Sequence, residues 1–486
     1  MKILFLYPQW TGDYGIFSHF ARKAGVWPPL HLALLAAISE QDGHEVSIID
    51  AEADRIPLKD LIEKAISLNP DIIGLTARSP FFHITKELAM GLKEKNNKIP
   101  IAIGGQHITI MKEKAFLPCF DYAFIGEAEK TWPDFLEKIN SGAHDLSSVK
   151  GLIYRKNDSH LFTGFQETTK DLDNLPFPAR HLLNMKNYTL GTMQGTKNFT
   201  SLQTVRGCPW KCIFCASDAL NTTDVRKRSP KSVIREIKEV VNKFNIKHFM
   251  FIDDVLTLYE KHILEICDLI LSENLKITFE GSTRANLVNE ENIKIMKEAG
   301  LIRLSFGLET VDDEMRKTMN KKVPLEAYTS ANRLLNKYGI EALNSVMLGL
   351  PGETKETVRK TLHWLRNARE VKQANFAIAV PYPGTELHRM AKAGEHGIQL
   401  LSDNFSEYRR YGSAVTKVNE LEPKDLIDLQ NEGFVSIYSA PWRWIPMVKK
   451  NGMFGALLML FRLFSLIIQK FVSSKVPQNI VHAKIK

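Results

Sequence analysis

Short apolar runs alternate with amphipathic stretches along the first 145 residues. Lys2–Tyr7, Glu45–Asp50, Asp71–Thr76, Ile99–Ile103 and Asp121–Ile125 read as strands. Leu30–Glu40, Leu58–Leu68 and Ile84–Lys95 carry the apolar period of helices. Strands alternating with helices predict βαβ units and a Rossmann-like, doubly wound parallel sheet. Ligands of such sheets bind outside the C-terminal strand ends, where glycine turns let a cofactor approach the backbone. Gly104 and Gly105 after the fourth run, and Gly126 after the fifth, are placed for that. Tight turns alone would account for these glycines equally well.

Residues 146–195 are irregular, contain Pro176 and Pro178, and suit a linker. A second alternating series follows, with strands expected at Thr200–Val205, His248–Ile252, Ile277–Gly281, Arg303–Gly307, Ala342–Leu348 and Asn375–Ala379. Helices are expected at Lys231–Lys243, started by Ser229 and Pro230, and at Ile263–Leu271. Six βα units over residues 196–405 predict a partial TIM-type barrel with its chemistry at the C-terminal strand ends. Residues 406–486 are expected to form a helical C-terminal region. The fold class is therefore α/β, in two domains of residues 1–145 and 196–405.

A length of 486 residues exceeds what one core organises, and 44% hydrophobic with 24% charged residues excludes bulk disorder. The net charge of +9 is concentrated at one end. Beyond Gly433 there is no Asp or Glu, while Arg443, Lys449, Lys450, Arg462, Lys470, Lys475, Lys484 and Lys486 are all basic. Nucleic-acid binding does not follow, because these cations flank the apolar run Met453–Ile468. That run is shorter than a membrane span of about 20 residues. With Trp442 and Trp444 before it, residues 453–472 suit a helix lying in a membrane interface, against the alternative of a helix packed on the barrel. A membrane placement implies a hydrophobic or lipid-like substrate. The chain begins on a strand-like run with no secretory signal, so a cytoplasmic location is expected, peripheral on the inner membrane face if the tail binds there.

Three of the five cysteines, Cys208, Cys212 and Cys215, crowd into one loop after the first barrel strand. An odd number so clustered is a poor disulfide framework and points to metal binding in a reducing compartment. Three thiolates at C-x3-C-x2-C spacing can hold a four-iron cluster and leave one iron open. Soft thiolates also suit zinc, but no fourth Cys or His lies nearby.

The segment Arg206–Cys215 resembles the cluster motif of the radical S-adenosylmethionine (SAM) superfamily, and the resemblance extends over nearly the whole barrel. It implies a [4Fe-4S] cluster on Cys208, Cys212 and Cys215 that binds SAM and cleaves it to a 5′-deoxyadenosyl radical. It further implies Asp253 and Asp254 at the SAM amino group and Arg284 and Glu309 at its ribose and carboxylate. Gly349 in Gly349–Glu353 and the segment Pro381–Thr385 correspond to further SAM-side motifs, with Phe214 packing beside the adenine. Each has a plain structural alternative: a helix cap, an ion pair, a turn or cluster shielding. An electron donor such as flavodoxin or ferredoxin is implied, and no catalytic acid or base is assigned.

The first domain resembles the cobalamin-binding domain that precedes many such barrels, through Trp27–Leu32, Asp71–Thr76, Ile103–Thr109 and Phe124–Glu129. The D-x-H-x-x-G signature, whose His would bind cobalt, is absent, and His107 stands alone after its Gly-Gly turn. Domain order and motifs resemble the group of the anaerobic magnesium-protoporphyrin monomethyl ester cyclase and the radical C-methyltransferases. Expected is C-methylation, in which one SAM supplies the methyl group through cobalamin and a second the radical. The alternatives are oxidative cyclisation and, in another class, a non-catalytic cobalamin and iron–sulfur sensor.

Overall fold

The computed structural model describes residues 1–11, 25–143, 145–156, 159–192, 195–221, 223–440 and 442–443. The first domain runs β1 (Lys2–Tyr7), α1 (Leu30–Gln41), β2 (Glu45–Asp50), α2 (Ala51–Asp54), α3 (Leu58–Ser67), β3 (Ile72–Thr76), α4 (Phe82–Lys95), β4 (Ile101–Gly104), α5 (Gln106–Met111), β5 (Tyr122–Phe124) and α6 (Thr131–Asn140). Its five parallel strands are ordered β2-β1-β3-β4-β5. Every residue of β3 is buried, as a central strand covered on both faces requires. Apolar clusters line both faces of this sheet.

Residues 146–195 are less irregular than their composition implies. β6 (Leu152–Lys156) and β7 (Ser159–Phe162) extend the first sheet as an antiparallel hairpin, and β8 (Thr189–Thr192) pairs with β9 (Gly195–Asn198). These strands of four or five residues carry little of the alternation that would reveal them in the sequence.

The second domain contains β10 (Thr200–Leu202), β11 (Val205–Arg206), α7 (Ser217–Asn221), β12 (Arg226–Lys227), α8 (Pro230–Phe244), β13 (His248–Phe251), α9 (Glu260–Ser272), β14 (Thr278–Thr283), α10 (Glu290–Glu298), β15 (Leu301–Glu309), α11 (Asp313–Thr318), α12 (Leu325–Lys337), β16 (Glu341–Leu348), α13 (Lys355–Asn367), β17 (Gln373–Ile378) and α14 (Glu386–Ala393). Six strands lie parallel in the order β10-β13-β14-β15-β16-β17, the partial barrel expected from the sequence. Ser229 caps α8 through the N–H of Ser232, with Pro230 in the first turn. The expected strand Thr200–Val205 stops at Leu202, because the Asp253 carboxylate takes the N–H groups of Thr204 and Val205. The chain then turns into β11, which pairs antiparallel with β12.

Outward residues of β15 and β16 are buried under the helices, and the alternate residues, facing the lumen, are half-buried. The N-terminal end of the lumen is closed by charge. His248 Nε2 lies 2.8 Å from Glu280 Oε1, Arg303 donates to Glu280 (2.8 Å) and to Glu341 (3.2 Å), across four adjacent strands. The C-terminal region adds β18 (Ile398–Leu400), paired with β19 (Thr416–Val418), and α15 (Pro423–Tyr438), so it is not wholly helical. The expected interfacial helix 453–472 lies outside the described residues. No helix among those described is long and apolar enough to cross a membrane.

Candidate active site

The cysteine loop leaves the C-terminal end of β10 and is tied down at many points. Asp253, at the end of β13, accepts from Thr204 N (2.7 Å), Thr204 Oγ1 (2.5 Å) and Val205 N (3.1 Å). Burial raises its carboxyl to about 6, against these hydrogen bonds. It ties the start of the cysteine loop to the end of β13, with Oδ1 taking two backbone N–H groups and Oδ2 the Thr204 hydroxyl. Asp254 is exposed and accepts from Ser217 Oγ at 2.6 Å, two residues beyond Cys215. Further along, Asn320 Nδ2 donates to Lys211 O (2.9 Å), Ile213 N to Met319 O (3.3 Å) and Leu387 N to Ile213 O (2.8 Å).

All three thiols are free; Cys208 and Cys212 are partly buried and Cys215 is exposed. Burial pushes the Cys208 thiol up, and the nearby Asp254 and Cys212 add to the shift. Among the described residues no three His, Cys, Asp or Glu side chains converge as ligands of a single ion. Three free thiols in one pinned loop, without a fourth donor, fit a four-iron cluster with an open iron better than a closed zinc site.

Arg284 is 8% exposed and stacks on Trp210 of the cysteine loop, 4.2 Å from guanidinium carbon to ring. Its Nε is buried without a hydrogen-bond partner, an orphan donor that an anionic ligand beside the loop would satisfy. Glu309 is buried in the left-handed conformation (φ 60°) and pairs with Lys321 Nζ at 2.7 Å. Lys321 Nζ lies 5.8 Å from the Phe214 ring, which packs against Ile213, Met319 and Leu387. A Cβ at Gly307 would overlap both ends of the Glu309–Lys321 pair. Lys321 escapes a motif reading because it sits twelve residues past Glu309 in a surface-like sequence.

Gly349 has φ 83°, and a Cβ there would come 3.1 Å from Leu426 of α15, so turn and helix packing both require glycine. Glu353 folds back on this loop, accepting from Gly349 N and from Leu350 N (3.2 Å). Its carboxyl is fully buried and pushed up to about 8 by that burial. A raised folded pKa stabilises below the unfolded value of about 4.5, and this stability is lost as pH rises through about 8. Glu353→Gln is therefore expected to flatten the fall in thermal stability between about pH 5 and 8; an unchanged slope in a pH series of melting curves would place the loss elsewhere.

In the first domain Gly104 and Gly105 do different work from Gly126. A Cβ on Gly105 (φ 98°) would press on Thr76 and Ala77, so packing of the turn demands glycine, and one on Gly104 would make only ordinary contact with Phe124. Gly126 (φ 85°) has nothing within 4 Å in the Cβ direction, so its left-handed backbone rather than packing calls for glycine. His107 is 1% exposed, bonded through Nδ1 to Ser79 Oγ (3.0 Å) and packed between Phe82 and Phe405. Burial lowers its pKa to about 4.

The turn after Gly126 joins the two halves. Glu129 pairs with Arg206 at 2.7 Å, and Glu127 with Arg226 at 2.6 Å. Nothing in the motif wording announced that these acids meet the cysteine loop.

The profile of the radical SAM superfamily matches residues 202–365 and that of the B12 binding domain matches residues 20–136. An uncharacterised methyltransferase of Pyrococcus horikoshii is 30% identical, covering 91% of this chain and 93% of that protein. The anaerobic magnesium-protoporphyrin IX monomethyl ester cyclase of Rubrivivax gelatinosus is 28% identical over 88% of this chain and 76% of its own. Among solved structures, the radical SAM methyltransferase TsrM of Kitasatospora setae, with cobalamin and a [4Fe-4S] cluster bound, superposes with a TM-score of 0.70 at 16% identity, covering 90% of each chain.

Proposed function

The chain belongs to the cobalamin-dependent branch of the radical SAM superfamily, and from that premise we propose that it C-methylates an unactivated carbon of a hydrophobic small molecule. As a member it is an enzyme that works with a [4Fe-4S] cluster, SAM and cobalamin on a small-molecule substrate, with a reductant. Bound, these groups supply a radical that removes hydrogen from carbon and a methyl donor that replaces it.

The chain's own residues bind and orient. Cys208, Cys212 and Cys215 would hold the [4Fe-4S] cluster. Asp253 fixes the start of their loop, and Arg284 offers its unpaired Nε to the anionic end of SAM. Lys321 and Glu309 form a buried ion pair beside Phe214 that would help keep the pocket around bound SAM closed to water. The observation that carries the reading is the direct junction of the Gly126–Glu129 turn with Arg206, two residues before Cys208. A methyl donor seated on the first domain then shares one site with the radical source.

The apolar, basic tail supports a substrate drawn from, or delivered at, an anionic membrane surface, with ferredoxin or flavodoxin as electron donor. Methyl-labelled SAM, reduced holoenzyme and hydrophobic candidate substrates presented in anionic vesicles test both points. Label in the product and co-sedimentation of the chain with vesicles are expected. An unlabelled, oxidised product would sink methylation in favour of the cyclase type of reaction, which the 28% identical relative keeps in view. Protein left in the supernatant at low salt would remove the membrane.

A further inference from the structure

Four largely buried side chains between the domains form a clamp. Arg226 grips Glu127 through both carboxylate oxygens, at 2.8 Å from Nη1 and 2.6 Å from Nη2. Arg206 Nη1 reaches Glu129 at 2.7 Å and Glu127 at 3.6 Å. Arg226 Nη1 also donates to Thr169 O (2.8 Å), whose own N–H donates to Glu127 (3.2 Å), so the segment before the barrel is drawn in. Side-chain exposure is 14% and 4% for Arg206 and Arg226, and 12% and 9% for Glu127 and Glu129. Exposed ion pairs slide and contribute little, whereas a desolvated bidentate pair has one geometry. For stability alone, apolar side chains of similar volume would serve as well.

What singles this clamp out is where its ends lie. Glu127 follows Gly126, the open glycine at the first domain's strand end. Arg206 precedes Cys208 by two residues and lies opposite Arg226 in the β11–β12 ribbon. Two ion pairs therefore connect the strand-end turn of the first domain to the cluster loop and its ribbon partner.

We propose that the Glu127/Glu129–Arg206/Arg226 clamp is a positioning device that sets the methyl group of SAM within reach of cobalamin. The inference rests on the methylation reading above. In the transfer it governs, the S–CH3 bond of SAM breaks, reduced cobalamin supplies the electron pair that takes the methyl group, and S-adenosylhomocysteine leaves. In the competing cleavage, one cluster electron breaks the S–C5′ bond and releases methionine, with the adenosyl fragment ending as 5′-deoxyadenosine after taking a hydrogen atom. Only the first step depends on the distance between the domains.

The test compares Arg226→Glu, Glu127→Arg, the swap of both, and Arg226→Lys. Each protein, with cluster and cobalamin contents fixed by absorption, is reduced and its S-adenosylhomocysteine and 5′-deoxyadenosine are quantified. Thermal unfolding is followed separately in the cofactor-free proteins. The single charge reversals are expected to lower the ratio of the two products by about tenfold or more, as misplacement of about 1 Å can do. They should also split one unfolding transition into two, and the swap should restore both ratio and profile. Arg226→Lys, which keeps the charge but loses the bidentate grip, should fall between. An unchanged ratio in the single variants, or a swap that restores the unfolding profile without the ratio, overturns the proposal. Should the reversals fail to fold, a wild-type ratio in Arg226→Lys overturns it equally. A wild-type enzyme that releases 5′-deoxyadenosine but no S-adenosylhomocysteine defeats the methylation reading itself, a result distinct from an unchanged ratio among active variants.

Discussion

Cys212→Ser yields a folded protein without iron–sulfur absorption that releases no 5′-deoxyadenosine on reduction with SAM. Thiolate sulfur is a soft ligand that suits iron–sulfur clusters, and a serine oxygen at neutral pH is neither soft nor ionised. With two thiolates left, the cluster loses a corner of its attachment. The fold does not depend on this side chain. The loop around it is held by Asn320 on Lys211 O and by the backbone bonds Ile213 N–Met319 O and Leu387 N–Ile213 O, none of which uses sulfur. Circular dichroism should therefore match the wild type while the visible spectrum does not. Continued release of 5′-deoxyadenosine would remove Cys212 from the ligand set.

The second large effect is expected at Lys321. Lys321→Met leaves the Glu309 carboxylate buried without its cation, and breaking such a pair costs about 3–5 kcal/mol. Glu309 adds to this because its left-handed backbone, at φ 60°, is held in place by the same ion pair. Urea denaturation should show a much lower midpoint. The double variant Lys321→Met/Glu309→Leu removes both charges and should recover stability to within about 1.5 kcal/mol of wild type. Release of 5′-deoxyadenosine should stay low in both. Recovery of release along with stability would reduce the pair to packing.

The parallel strands and the cysteine loop were legible because each rests on local chemistry: buried runs such as Ile72–Thr76, a Ser-Pro helix start at Ser229, three thiols at short spacing. The hairpin Leu152–Phe162 was not, because its strands are only five and four residues long and lack a sustained apolar alternation. Asp253 lies at the strand end as its sequence position implies, but its bonds to the cysteine loop depend on which backbone N–H groups the loop presents to it, a matter of three-dimensional path. Lys321 and Arg226 were missed for the same reason. Their partners, Glu309 and Glu127, lie 12 and 99 residues away in sequence, and nothing in either neighbourhood names the other. Gly105 and Gly126 look alike in sequence, while the space beside each separates a packing glycine from an open one.

The row of charges closing the barrel has a meaning for assembly as well as for shape. His248, Glu280, Arg303 and Glu341 stand on β13, β14, β15 and β16, one to a strand. Side chains alternate between the two faces of a strand, so a slip of one residue would swing a charge out of the lumen and under the apolar helices. Each strand in turn can dock correctly only against a neighbour already in place. The ladder thus acts as a register key: a misaligned sheet would leave its charges unpaired, and only the native alignment pairs them all.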